Sequence, residues 1–278
     1  MRNRHQLGLR YAVGSDTGIV RHVNEDSVFA SPRLLAVADG MGGHAHGEVA
    51  STVTVGVLAE LDRHLRPAAV DPLPILATTV ARVQRRLTEL AAADDELAGM
   101  GSTLTALLWD GTTFGIAHVG DSRGYLLRDG TLSQLTRDHT LVQSLVDDGQ
   151  ISAAEAETHP RRSTLMRALQ TGGAAEPDLS VHEAAAGDRY LLCSDGVTCV
   201  VGPDLLHEAM TTLADPADVV DRLISEAKRL LSPDNISCVV ADVVTSAPSK
   251  DVLVGGAATV GQEQSGRLTR WARRLISR

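Results

Sequence analysis

The chain has 278 residues, of which 43% are hydrophobic and 22% charged, values typical of a globular protein. No stretch approaches the roughly 18 consecutive apolar residues that a membrane-spanning helix requires. The polar, basic segment 1–10 leads into no apolar run of a secretory signal, and we expect a cytoplasmic protein. The formal net charge is −9, although residues 262–278 hold five arginines against one glutamate. An acidic body argues against nucleic-acid binding and is compatible with cation binding.

Strand patterns and helix patterns occur in separate blocks along the chain. The predicted strands are 7–13, 27–38 (with a turn at 31–32), 102–109, 112–119, 124–128, 131–135, 179–182, 189–194 and 236–244. The predicted helices are 46–65, 73–93, 140–147, 153–157 and 218–231. The first helix carries a valine or leucine every four residues from Val49 to Leu65. Asp110-Gly111 and Asp129-Gly130 predict hairpins between strands. This order predicts an α+β fold on antiparallel sheets.

The composition changes after Thr245. Residues 246–265 are rich in Ala, Gly, Ser and Gln, which predicts a flexible linker after a domain spanning 1–245. In residues 266–278, Leu268 and Trp271 fall on one helical face surrounded by arginines. Such a basic amphipathic tail could make peripheral contact with the inner face of the membrane. A frayed basic tail without that role is the alternative.

Aspartates stand where apolar strands end. Asp39, Asp121 and Asp195 each follow such a run and precede a small residue, while Asp234 opens the last predicted strand. One of them alone would indicate a turn. Four at sheet ends could converge, and converging carboxylates are stable together only when protonated or bound to a cation. Oxygen ligands favour Mg²⁺ or Mn²⁺, two of which can activate a water for phosphoryl transfer, and Gly40 would let its own carbonyl approach an ion.

Arg21 is a candidate phosphate ligand in the segment Arg-His-Val-Asn-Glu-Asp. A guanidinium can donate two parallel hydrogen bonds to phosphate. Arg21 and Glu25 are also four residues apart, so a surface ion pair between them is an equal alternative on spacing alone.

Six motifs in order resemble the metal-dependent protein phosphatases of type 2C (PPM), specifically the bacterial serine/threonine phosphatases that oppose receptor-like protein kinases. The motifs are Arg21-xx-Asn24-Glu25-Asp26, Asp39-Gly40-Met41-Gly42-Gly43-His44, Gly101-Ser102-Thr103, Gly120-Asp121-Ser122-Arg123, Ser194-Asp195-Gly196 and Asp234-Asn235. The resemblance implies a central antiparallel β-sandwich flanked by helices, with the metal site at one end. It implies that Asp39 bridges two Mn²⁺ or Mg²⁺ ions, with Gly40, Asp195 and Asp234 as further ligands.

The same resemblance assigns the remaining site residues. Arg21 would bind the substrate phosphate, and Glu25 and Asp26 would act through metal-bound waters. Asp121 would hold a third, weaker ion together with Ser163. Arg21, Asp39 and Asp121 are thus the candidate catalytic residues.

Two further features follow from the resemblance. Residues 138–173 would form a mobile flap beside the site. Met41 stands where many eukaryotic members carry a histidine thought to protonate the leaving group, and methionine cannot donate a proton. A metal-bound water would then take that role.

The function implied is hydrolysis of phosphoserine and phosphothreonine in proteins by a metal-activated water at a binuclear centre. The partners would be phosphorylated proteins, including serine/threonine protein kinases and their substrates. Two alternatives stay open: a pseudophosphatase that binds phosphoproteins without turnover, and a phosphatase acting on a regulator of the anti-sigma-antagonist kind.

Overall fold

The computed structural model describes residues 7–42, 46–65, 71–173 and 176–259, which form thirteen strands and seven α-helices. The strands are β1 (Gly8–Asp16), β2 (Asp26–Ala30), β3 (Leu34–Met41), β4 (Gly101–Ser102), β5 (Leu104–Trp109), β6 (Thr113–Val119), β7 (Arg123–Arg128), β8 (Thr131–Gln134), β9 (Leu169–Gln170), β10 (Asp178–Glu183), β11 (Arg189–Cys193), β12 (Ile236–Val244) and β13 (Leu253–Gly256). The helices are α1 (Gly47–His64), α2 (Pro72–Ala93), α3 (Leu141–Asp147), α4 (Ala153–Thr158), α5 (Asp195–Thr198), α6 (Pro203–Thr212) and α7 (Pro216–Arg229).

Two antiparallel sheets form the centre of the fold. One has five strands in the order β1-β12-β11-β7-β8. The other has eight, with the main order β10-β6-β5-β3-β2-β13 and with β4 and β9 attached beyond β3. Every pairing between the described strands is antiparallel. The predicted α+β sandwich is therefore confirmed.

Three apolar layers hold the sheets and helices together. Side chains such as Phe114, Tyr190 and Val239 fill the space between the two sheets. The outer face of the larger sheet packs under α1 and α2, and the outer face of the smaller sheet under α6 and α7. Because strand residues alternate in direction, each sheet can bury both faces at once. The helices therefore cover the outside and leave the ends of the sandwich for loops.

The predicted hairpins are present. The chain turns from β5 into β6 at Asp110-Gly111, and Gly111 has a φ of +107°. Asp129 and Gly130 both have positive φ, as a two-residue turn between β7 and β8 requires. Most other elements lie within a few residues of their predicted bounds. Helices α5 and α6 were not predicted.

The prediction of a flexible linker at 246–265 is wrong for its described part. Strand β13 pairs with β2, so that Leu253 lies opposite Ala30. Ser249 donates its backbone N–H to the carbonyl of Leu9 at 2.7 Å, and Ala258 is buried in the core. The small residues that suggested a linker are required by close packing: a Cβ on Gly255 would lie 2.8 Å from a methyl group of Val28.

The sandwich thus extends past residue 245. Residues 260–265 of the predicted linker and the tail 266–278 lie outside the described residues. None of the described helices combines the length and the apolar character needed to cross a membrane.

Candidate metal centre

One end of the sandwich collects the acidic side chains. Asp39 lies near the end of β3, opposite Asp26 at the start of β2. Asp195 lies two residues after the end of β11, Asp121 follows β6, and Asp234 precedes β12. Antiparallel neighbours place the end of one strand beside the start of the next, which is why residues far apart in sequence meet here. The four aspartates predicted at strand ends are brought to one region.

Their charges interact strongly. Burial, followed by the charges of Asp26 and Asp195, holds the pKa of Asp39 well above its usual range. Burial and Asp234 raise the pKa of Asp195 to about 6. Burial raises the pKa of Asp26 to about 7 and that of Asp121 to about 8, with a contribution from Asp195 to each. Without a counter-ion this cluster opposes folding at neutral pH, and a bound cation would relieve it.

The donor set fits a hard divalent cation. The described side chains that interact here are carboxylates, the ligands that Mg²⁺ and Mn²⁺ prefer. No three acidic, histidine or cysteine side chains in the described ranges already surround one point at ligand spacing. Charges act over longer distances than metal–ligand bonds, so the cluster is electrostatically coupled but needs side-chain adjustment to bind an ion.

Gly40 is fixed by its backbone contacts. A Cβ at this position would clash with the carbonyl oxygens of Gly47 and Glu25, so only glycine fits. Its N–H donates to the Glu25 carbonyl at 3.1 Å, while the Glu25 side chain accepts the N–H of Gly47 at 3.2 Å. These contacts join β3 to the start of α1. They hold the backbone of Gly40 firmly beside Asp39.

Arg21 lies at the mouth of the cluster. Its Nη2 donates to Asp234 Oδ2 at 2.8 Å, and its Nη1 lies 3.7 Å from Glu25 Oε2. The ion pair with Glu25 that the spacing suggested is therefore present, but the shorter contact is with Asp234. Its side chain remains 45% exposed.

Asn235 holds the loop that carries Arg21. Its side-chain amide is buried and donates to the carbonyls of Thr17 and Val23, both at 2.9 Å. Its Oδ1 accepts the N–H of Glu25 at 2.8 Å. The sequence showed Asn235 only as part of an Asp-Asn pair, with no sign of these contacts. One side chain thereby fixes the base of the Arg21 loop next to Asp234.

Hydroxyl groups support the backbone around the carboxylates. Asp39 and Thr103 exchange two hydrogen bonds, with the Asp39 N–H donating to Thr103 Oγ1 at 3.0 Å and the Thr103 N–H to the Asp39 carbonyl at 2.8 Å. The Thr103 hydroxyl also contacts that of Ser122 at 2.7 Å. Ser194 donates to Asp26 Oδ2 at 2.8 Å. The sequence motifs around Thr103 and Ser194 thus act as scaffolding of the site.

His139 connects the predicted flap to the loop of Asp121. It donates its backbone N–H to the Gly120 carbonyl at 2.8 Å, and its Nδ1 accepts the Gly120 N–H at 3.1 Å. The proton is therefore on Nε2, which donates to Asp178 Oδ2 at 3.0 Å. Ser163 lies in an exposed turn, and among the described residues no hydrogen bond or ion pair joins it to Asp121.

The sandwich and its oxygen donors define a cation site of the kind that metal-dependent hydrolases use. The sequence model of the Protein phosphatase 2C family matches residues 21–245, and the chain belongs to this family. It is 52% identical over 241 residues to the serine/threonine protein phosphatase PstP of Mycobacterium tuberculosis (strain CDC 1551 / Oshkosh), covering 87% of this chain but 46% of PstP. The chain therefore spans about half the length of that relative.

Other relatives and solved structures agree. The serine/threonine phosphatase stp of Listeria monocytogenes (serovar 1/2a) is 37% identical, covering 82% of this chain and 93% of stp. The crystal structure of the M. tuberculosis phosphatase PstP/Ppp matches with a TM-score of 0.81 and 51% identity, over 85% of this chain and 99% of that one. A structure of the PstP catalytic domain in complex with two manganese ions matches with a TM-score of 0.79 and 50% identity, over 86% and 99%.

Proposed function

We propose that the protein is a metal-dependent serine/threonine phosphoprotein phosphatase. The proposal rests on one observation: aspartates from four strand ends interact electrostatically with one another and lie beside the exposed Arg21. An acidic cluster with a phosphate-binding cation at its mouth suits a phosphate monoester once divalent ions neutralise the carboxylates. The relatives named as serine/threonine phosphatases support the same activity.

The cofactor would be two Mn²⁺ or Mg²⁺ ions held by Asp39, Gly40, Asp195 and Asp234. When bound, such ions lower the pKa of a water so that hydroxide is available near neutral pH, and they stabilise the charge that develops on phosphate oxygens. The firm backbone placement of Asp39 and Gly40 would orient these ligands before the substrate arrives. The manganese ions bound to the PstP catalytic domain support this assignment.

The other residues would position the substrate. Arg21, which donates to Asp234 in this structure, would donate to the substrate phosphate instead, while Asp234 would serve as a metal ligand. Glu25 and Asp26 would act on the ions through water molecules, while Asp121 and Ser163 would hold a third, weaker ion beside the flap 138–173. Because Met41 has no proton to give, the leaving group would receive its proton from water.

The test is hydrolysis of a phosphothreonine peptide with Mn²⁺ and with Mg²⁺. We expect turnover by the wild type and its loss in Asp39→Asn. Asp71→Asn is the matched control, since Asp71 is an exposed N-cap of α2 and asparagine caps equally well. Peptide binding without turnover by the metal-loaded wild type would instead identify a pseudophosphatase.

The substrates would be phosphorylated proteins, among them serine/threonine protein kinases and their targets. A panel of phosphorylated kinases and anti-sigma-antagonist regulators, compared by kcat/KM, separates these two classes. We place the protein in the cytoplasm with peripheral contact at the inner membrane face through residues 266–278. Co-sedimentation with anionic vesicles, with and without residues 262–278, tests the contact, and identical partitioning would refute it.

A further inference from the structure

Three aliphatic residues beside Arg21 are unusually exposed. Ile19 is 51% exposed and Val20 and Val23 are each 55% exposed, within a run of five exposed residues from 19 to 23. A single exposed valine is ordinary on a protein surface. Three within one short loop, around the residue that would bind the substrate phosphate, indicate a contact surface.

The loop presents these side chains from a fixed base. The Asn235 amide donates to the carbonyl of Thr17, which precedes the exposed run, and to the carbonyl of Val23, its last residue. Gly18 donates its N–H to Asp16 Oδ1 at 2.8 Å and has a φ of +77°. Lys228 of α7 in turn donates to Asp16 Oδ2 at 2.8 Å. The aliphatic side chains are therefore exposed on an ordered support, where docking a ligand costs little additional entropy.

We propose that Ile19, Val20 and Val23, the aliphatic collar, bind apolar side chains that flank the phosphorylated residue of the substrate. This inference rests on the proposed phosphatase function and narrows its substrate class. With Arg21 on the phosphate, the collar favours phosphoproteins carrying aliphatic or aromatic residues near the phosphosite.

The distances along the loop and along an extended peptide support the substrate as the ligand of the collar. Consecutive Cα atoms are about 3.8 Å apart, so the Cα atoms of Ile19 and Val23 lie within about 8 Å of that of Arg21. An extended peptide advances about 3.3 Å per residue, which places positions one to three residues from the phosphate over the collar. A peptide with its phosphate on Arg21 therefore has its neighbouring side chains within reach of the collar, and the collar would extend the phosphate site.

The experiment compares two phosphothreonine peptides that differ only in their neighbours, leucine and isoleucine in one and glycine and serine in the other. The proteins are the full chain and the triple variant Ile19→Ser/Val20→Ser/Val23→Ser. Val252→Ser is the matched control, because Val252 is also 55% exposed but precedes β13 at the opposite end of the sandwich. The readouts are kcat/KM with Mn²⁺ and the Kd of non-hydrolysable phosphonate peptides by fluorescence anisotropy.

We expect the wild type to prefer the apolar-flanked peptide about tenfold and the triple variant to lose that preference, as burial of several aliphatic groups implies. Val252→Ser should keep the preference. Equal kcat/KM and equal Kd for the two peptides in the wild type would overturn the collar, as would a preference that survives in the triple variant. Turnover of neither peptide would refute the phosphatase function, while the anisotropy data would still decide the collar.

Discussion

Asp195→Asn should stabilise the metal-free protein, although it removes a residue of the proposed active site. Asp195 lies among like charges and follows the buried strand β11. Burial and Asp234 raise its pKa from 3.8 to about 6. A carboxyl with a raised pKa in the folded state binds its proton more tightly there than in the unfolded chain. Its ionisation above that pKa therefore favours unfolding.

The magnitude follows from this shift. A rise from 3.8 to about 6 corresponds to roughly 3 kcal/mol at neutral pH. Asp195 retains partial exposure and lies in the first turn of α5, where a negative charge is mildly favourable. We therefore expect a gain of about 2 kcal/mol in the free energy of unfolding at pH 7. The gain should be small near pH 4, grow between the unfolded-state pKa of 3.8 and the folded-state pKa of about 6, and level off above it, because only the wild type ionises at this position.

Urea unfolding in EDTA between pH 4 and pH 8 measures the effect. Asp242→Asn is the control, since Asp242 is a buried carboxylate that accepts hydrogen bonds from Arg189 and Arg10. Losing that pairing should destabilise the protein by about 3 kcal/mol. Both substitutions replace an aspartate with asparagine. Opposite changes in the free energy of unfolding would therefore be due to the surroundings of each residue.

With Mn²⁺ present, we expect the wild type to be more stable to unfolding than Asp195→Asn. Binding to the folded state raises the unfolding midpoint of the wild type, and Asp195→Asn should gain much less. A lower free energy of unfolding for Asp195→Asn in EDTA at pH 7 would refute the argument. An equal Mn²⁺ response in both proteins would show that Asp195 does not contribute to the metal centre.

Three other substitutions or truncations test separate parts of the structure. Arg21→Lys should raise KM for a phosphopeptide about tenfold, since lysine cannot donate the two parallel hydrogen bonds of a guanidinium; an unchanged KM would contradict this. His139→Ala should speed hydrogen exchange of the Gly120 amide at least about tenfold by removing its acceptor, and unchanged exchange measured by NMR would argue against that bond. Deletion of residues 246–278 should lower the free energy of unfolding by about 3 kcal/mol or more in urea, because Ala258 and the strand before it leave the core; an unchanged midpoint would show that this segment is dispensable.

The strand-end aspartates could be predicted because the signal is local. Asp39, Asp121 and Asp195 each follow an apolar run, and a small residue after them marks the end of the strand. Their meeting depends on the strand order, which could not be predicted: β5 lies between β3 and β6, so those two strands end at the same edge, and β12 starts where its antiparallel neighbour β11 ends. The hairpins were predictable for the same reason, since Asp-Gly pairs have one preferred backbone geometry.

Contacts between distant segments could not be predicted. Arg21 and Asp234 are 213 positions apart, and Asn235 reaches Thr17 across 218. Nothing in either segment alone specifies the partner, because these bonds depend on how the loops meet after the sheets pack. Strand β13 was hidden for a different reason: the glycines that its close packing requires are also typical of linkers.

Strand β13 also sets the direction in which the chain leaves the sandwich. It runs antiparallel to β2 and ends with Gly256 opposite Ser27, where a Cβ would clash with the carbonyl of Asp26. The backbone therefore passes the carboxylate end three residues before Thr259. The last described strand therefore returns the chain to the end of the sandwich that carries the aspartates, and the segment 253–256 braces the start of β2 from its outer edge.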